Sequence, residues 1–174
     1  MGAWDELDTE ISVTLDTSGL DDLMDSLDFD DVFEPLYETL DNLKTGLDDG
    51  SKEGVEDIAN RNRSFQEQFI NEVCDNPSGM LASSIDVEEQ DEYTYLIGTM
   101  INHIYPMAVE YGRSEVYPIR AKALAFYYDG ELIFRKKVGP AKPRPFVAPA
   151  FEKTNDVAEE IMLRKIEIAI DRVR

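Results

Sequence analysis

The chain encodes an α+β domain: an antiparallel sheet of about four strands, with N-terminal helices and a C-terminal helix packed on it. Three observations predict this. From Val32 to Val73 apolar residues recur every three or four positions, the period of one helix face. From Leu81 the period falls to two, as in half-buried strands. After Pro149 the helical period returns and holds to the C-terminus. Runs of helix, then strands, then helix argue for segregated layers with helices on one face.

Residues 1–30 read as an acidic N-terminal arm and residues 31–174 as one domain. In the arm, Glu10-Ile11-Ser12-Val13-Thr14-Leu15 alternates like a short strand. Ser18-Gly19 ends it, and Leu20, Leu23, Met24 and Leu27 then recur at helical spacing among aspartates. Acids in a first turn suit the helix dipole. The arm is expected to be partly ordered alone and to complete its order on assembly. In the domain, Phe33, Leu36, Tyr37, Leu40, Leu43 and Leu47 form one helix face, and Asp48-Asp49-Gly50-Ser51 punctuates it. Val55, Ile58, Ala59, Asn62, Phe65, Phe69 and Val73 resume the period, giving either one long kinked helix or a helical hairpin. The stop falls at Asp75-Asn76-Pro77-Ser78-Gly79.

Leu81–Val87 and Tyr93–Thr99 are the first pair of strands, joined through a polar turn at Glu88–Glu92. Residues 103–112 form a short helix ending at Gly112, a natural position just beyond a helix C-terminus. Ala123–Tyr128 and Glu131–Phe134 flank Asp129-Gly130, the preferred two-residue hairpin turn. A basic, proline-rich connector follows. Pro143, Pro145 and Pro149 fix their own φ and hold their predecessors extended, and Pro149 suits the first turn of a helix. In that last helix Phe151, Val157, Ile161, Ile168 and Val173 are expected to be buried, with Glu159-Glu160 and Arg164-Lys165 spaced for pairs along the helix. Phe146 is placed as a plug between the sheet and this helix.

Charge is the compositional extreme. The 174 residues carry 37 acids and 17 bases, a net of −20. Residues 1–92 hold 27 acids and 4 bases, a net of −23, whereas residues 93–174 hold 10 acids and 13 bases, a net of +3. Such an acidic half repels itself until salt screens it. It is compatible with a high-salt cytoplasm, with docking on a basic partner, or with lining a conduit that DNA must traverse without sticking. It argues against sequence-specific binding of nucleic acid, since phosphate contacts need cations. No apolar run reaches the roughly 20 residues of a membrane span, so no membrane role is expected. The single cysteine, Cys74, permits no internal disulfide and reads as a small helical residue.

No catalytic set, cofactor or metal site is expected. The acid pairs at Asp21-Asp22, Asp48-Asp49 and Glu88-Glu89 read as solvated faces, and the spacing near Asp48 does not fit a calcium loop. His103, the only histidine, has no partners placed by a motif and reads as a capping or packing residue. The basic residues Arg135, Lys136, Lys137, Lys142 and Arg144 suit either DNA phosphates or, preferably, the acidic half of an adjacent copy.

Four blocks, in order, carry a family likeness. They are Ser78-Gly79-Met80-Leu81-Ala82-Ser83-Ser84-Ile85, then Ile97-Gly98, then Tyr105-Pro106-Met107-Ala108-Val109-Glu110-Tyr111-Gly112, then Pro145-Phe146-Val147-Ala148-Pro149-Ala150-Phe151. Over residues 78–151 the chain resembles the gene-product-ten-like tail-component family of long-tailed phages, whose type member comes from phage HK-ninety-seven. Pro106 departs from the family's usual Tyr-Ala pair. The likeness implies a virion protein of the neck or head-proximal tail, assembled in the host cytoplasm. It would be a non-enzymatic tail-completion or terminator-type ring component. Its partners would be copies of itself, head-connector proteins (portal, adaptor or stopper) and the tail tube protein. It marks Gly79, Leu81, Ser84, Ile85, Gly98, Glu110, Tyr111, Gly112, Pro145, Phe146, Pro149 and Ala150. Glu110 is expected to be solvated in a lone copy, or to pair with Arg113, Arg120 or Arg144 of a neighbour in a ring. The acidity suggests a halophilic host. An acidic DNA mimic or inhibitor and a carboxylate-based metal hydrolase are the competing classes.

Overall fold

The computed structural model describes residues 8–26, 34–74, 79–101, 104–128 and 130–173. The elements, in order, are β1 (Thr9–Ser12), α1 (Ser18–Asp25), α2 (Glu34–Val73), β2 (Ile85–Asp91), β3 (Thr94–Thr99), α3 (Ile104–Glu110), β4 (Leu124–Tyr128), β5 (Glu131–Arg135) and α4 (Val147–Val173). The class is α+β, as predicted. The helix stop at Asp75–Ser78, His103 and the Asp129 corner of the hairpin lie outside the described residues.

The strands divide into two antiparallel sheets rather than forming one. β1, β3 and β2 make a three-stranded sheet in that order, and β4 pairs only with β5. β1 therefore belongs to the domain: Thr9 faces Ile97 and Ile11 faces Tyr95 in the ladder. Thr9, Ile11, Ile85, Val87, Ile97 and Thr99 share the face turned toward α2, and Ile85 and Ile97 are fully buried there with Ala59, Ile70, Leu81 and Phe146. Glu10, Ser12, Asp86 and Glu88 take the opposite, solvated face. β2 starts later than its sequence suggests. Ser84 Oγ donates to Leu81 O at 2.7 Å and Ser83 Oγ to Met80 O at 3.2 Å, so residues 82–84 close a 3-10 turn and the strand begins at Ile85. It then runs on through the polar Glu88–Asp91 with an irregularity between Glu89 and Asp91. An exposed edge strand tolerates that run of acids and gains protection from it.

α2 is one continuous helix of 40 residues, with no break at Gly50. The reason is α4, which lies antiparallel along it. A Cβ on Gly46 would sit 2.9 Å from Ile170 Cα, one on Gly50 2.5 Å from Ile166 Cα, and one on Gly54 2.5 Å from Met162 Sδ. The three glycines thus form a stripe, one per turn; α4 rests its backbone on Gly46 and Gly50 and lays the Met162 side chain over Gly54. Further along the same register Asn62 Nδ2 donates to Thr154 Oγ1 at 3.0 Å, Gln66 Nε2 donates to Asn62 Oδ1 at 2.8 Å, and Thr154 Oγ1 donates to Ala150 O at 2.8 Å. All three side chains are buried. This close seam buries the small Ala150, Thr154 and Ala169 of α4, while Phe151 and Ile168, expected inside, are exposed. Lys165 reaches Asp57 on α2 at 2.9 Å, bridging the helices instead of pairing along α4. α4 meets the sheet-side core at its start, through Phe146 and Val147.

α1 leans on α2, burying Met24 and pairing Asp21 with Lys44. The β2–β3 turn is tied to α2 by the Tyr93 hydroxyl, which donates to Asp48, and by Lys52, which bridges Asp48 and Glu92. No described helix is long and apolar enough to cross a membrane.

Candidate interaction surface

The residues singled out in the third and fourth sequence blocks meet at one junction. Gly112 has φ +73, and a Cβ there would lie 2.6 Å from Ala141 O and 2.9 Å from Pro143 Cδ, so only glycine fits both the backbone and the space. Beside it Arg113 and Ala141 exchange backbone hydrogen bonds of 3.0 and 2.9 Å, and Arg144 N donates to Val109 O at 2.8 Å. The start and end of the 113–141 excursion are thus held side by side.

Glu110 locks the junction from within. Its carboxylate is buried, at 5 % exposure, and accepts from Phe146 N at 2.7 Å and Val147 N at 3.1 Å. These are free N–H groups at the start of α4, where a negative charge also suits the helix dipole. Glu110 is therefore neither solvated nor turned toward a neighbour, because the α4 N-terminus supplies what a foreign arginine would have supplied. Arg144 is likewise engaged inside the chain: its Nη1 donates to Val73 O at 3.1 Å, capping the last residue of α2 with a cation. Arg113 Nη1 donates to Gly139 O at 3.1 Å. Phe146 is fully buried beneath the junction, as expected of a plug, and Ala150 N closes on Phe146 O. Pro145 is exposed, as is Tyr111. Pro106 is buried in the first turn of α3, and Pro149 is the third residue of α4; in both places the missing N–H has no helical acceptor to lose.

The remaining marked residues lie elsewhere. Leu81 and Ile85 join Phe146 in the core. Gly79, with φ +74, opens the 3-10 turn that Ser84 helps close. Gly98 sits on β3 against the Asp8 side chain.

From the junction a ribbon projects. Val116 and Val138 exchange hydrogen bonds of 2.9 and 3.0 Å, Lys137 Nζ donates to Glu115 at 2.8 Å, and β4 and β5 continue the pairing, with Gly130 at φ +79 in the turn. One face of the hairpin carries Ala125, Tyr127, Leu132 and Phe134; the other carries Leu124, Phe126 and Ile133. No described helix or other strand covers the first face: Tyr127 is 76 % exposed and Phe134 60 %, and in the approach to β4 Ile119 is 96 % exposed. Residues 113–144 hold eight bases and three acids, a net of +5, which leaves −25 on the rest of the chain. A cationic ribbon with an uncovered apolar face thus projects from an anionic body. Contiguous exposed apolar surface is uncommon on monomeric soluble proteins. Sequence reasoning found the hairpin but not its exposure.

Among the described residues no three His, Cys, Asp or Glu side chains are grouped to hold a metal. The Tyr93 hydroxyl and then the Lys52 ammonium hold the Asp48 carboxylate below the usual carboxylate range. That cluster fastens the sheet to α2. Comparison with protein-family models, curated proteins and solved structures finds no match to this chain.

Proposed function

We propose that this chain is a structural virion protein of the neck or head-proximal tail of a tailed virus, a tail-completion or terminator-type ring component that joins head connector to tail tube. The observation that carries the reading is the ribbon: eight of the 17 bases and a row of exposed aromatic and aliphatic side chains project from a body of opposite charge. A subunit with a positive projection and a negative body associates head to tail, and a heterologous contact that closes makes a ring. The four sequence blocks supply the place in the particle. Glu110, Gly112 and Phe146, from the third and fourth blocks, lie at the junction from which the ribbon leaves the body. The acidic body suits the wall of a conduit that DNA passes without adhering.

Copies of itself, the connector proteins and the tube protein are its partners in this reading, and its role needs no cofactor. Electron microscopy of the purified chain at moderate and high salt is the test. The expected images are closed rings with an axial channel wide enough for duplex DNA. Open filaments, or compact oligomers without a channel, contradict the reading.

A further inference from the structure

We propose that the β4–β5 ribbon of one copy docks between β1 and α4 of a second copy, extending the open edge of β1. The inference deepens the ring reading above and rests on it for closure; the contact itself is argued from three matches between ribbon and groove.

The first match is the backbone. β1 is an edge strand of its sheet. Val13 N donates to Tyr93 O at 3.1 Å, so alternate residues Thr9, Ile11 and Val13 turn their backbone groups toward β3. Glu10 and Ser12 turn theirs outward, where no described backbone meets them. Such an edge accepts an added strand.

The second match is apolar. Between the β1 edge and α4, with α2 as floor, runs a groove of about 410 Å³ lined by Ile11, Val55, Ile58, Phe151 and Met162. Phe151 is 43 % exposed on its wall. The uncovered ribbon face of Ala125, Tyr127, Leu132 and Phe134 is of the same character. No ribbon residue lines the groove of its own chain.

The third match is charge. Glu10 and Glu159 stand at the groove, and Glu152, Asp156 and Glu160 are exposed along α4 beside it. Arg120, Lys122, Arg135 and Lys136 flank the apolar ribbon residues and are exposed. Opposite signs here select a copy of the same chain as occupant and set its register.

Two full-length variants test the contact by sedimentation. In the ribbon variant Tyr127→Ser, Leu132→Ser and Phe134→Ser are combined; all three side chains are exposed, so the fold is retained. The groove variant is Ser12→Pro, which removes an N–H that points away from β3 and so spares the ladder. Each variant alone is expected to assemble only at a concentration at least about tenfold above that of the parent chain. Mixed together, they are expected to give a one-to-one pair and nothing larger, because the mixture offers one intact ribbon to one intact groove. That complementation cannot arise from misfolded partners. A ribbon variant that assembles at the parent concentration would overturn the docking while leaving a ring built on another surface. Variants that fail to pair would overturn it too. A parent chain that stays monomeric at every concentration and salt would remove both the docking and the ring.

Discussion

Replacing Gly50 by Ala separates two opposite expectations. On helix propensity alone the change stabilises, since Gly costs roughly 1 kcal/mol relative to Ala in a helix interior. Against α4 it does the reverse. The new methyl would lie 2.5 Å from Ile166 Cα and 2.9 Å from Ile166 N, where an ordinary contact needs about 3.5 Å. Both atoms are backbone and have no rotamer through which to retreat, so α4 must move by about 1 Å and loosen the contacts on either side. Overpacking of this kind costs about 1–3 kcal/mol, and the rigid neighbour places Gly50→Ala at the upper end. The net is a destabilisation of about 2 kcal/mol, or about 4–8 °C in a chain of this size. Gly54→Ala is the internal control. Its methyl meets the sulfur of Met162 at 2.5 Å, the flexible end of a side chain that rotates away, so that variant is expected to match or slightly exceed the parent. Urea unfolding followed by circular dichroism, with the midpoints compared at constant slope, measures both. A Gly50→Ala protein as stable as Gly54→Ala would refute the close seam between α2 and α4.

Three further outcomes are expected. Phe146→Ala, at a site with no exposure, is expected to lower the unfolding free energy by about 3–5 kcal/mol, measured in the same assay. Glu110→Ala is expected to cost about 1.5–3 kcal/mol for each of its two charge-assisted bonds to the α4 N-terminus, and Glu110→Gln less because it keeps an acceptor; a variant with parent stability would mean the carboxylate is not the α4 cap. Asp48 lies below its ordinary pKa through Tyr93 and Lys52, so its contribution is fully present above the unfolded carboxylate value of about 3.9 and is lost as pH falls below it. Unfolding midpoints measured between neutral and strongly acid pH are therefore expected to fall less steeply for Asp48→Asn than for the parent.

The helices, both hairpin strand pairs and the Phe146 plug were legible because each is written in local periodicity or in proline and glycine chemistry. What failed to show was decided by distant partners. Gly50 beside Asp48 and Asp49 has the composition of a break, yet Gly46, Gly50 and Gly54 fall one turn apart, and that spacing was the overlooked signal of a surface for close helix contact. Phe151 and Ile168 fit the helical period, but the seam took Ala150, Thr154 and Ala169 instead because only small residues let α4 approach. Glu110 beside Gly112 looked like a surface acid; nothing within ten residues announces that Phe146 and Val147 present their N–H groups to it. For the ribbon the signal was present and unused. Leu124 to Tyr128 is apolar at every position, so both faces of a two-stranded hairpin are apolar, and a small domain has no second layer to cover both.

Sedimentation of the parent chain across a salt series tests the head-to-tail account most directly. The net charge of −20 opposes association until salt shortens its reach to roughly 10 Å or less, whereas the apolar ribbon face persists at any salt. The account predicts monomers or weak oligomers at low salt and one discrete, larger closed species as salt rises. A single mass equal to one chain throughout the series, even with purified connector and tube proteins present, would contradict it.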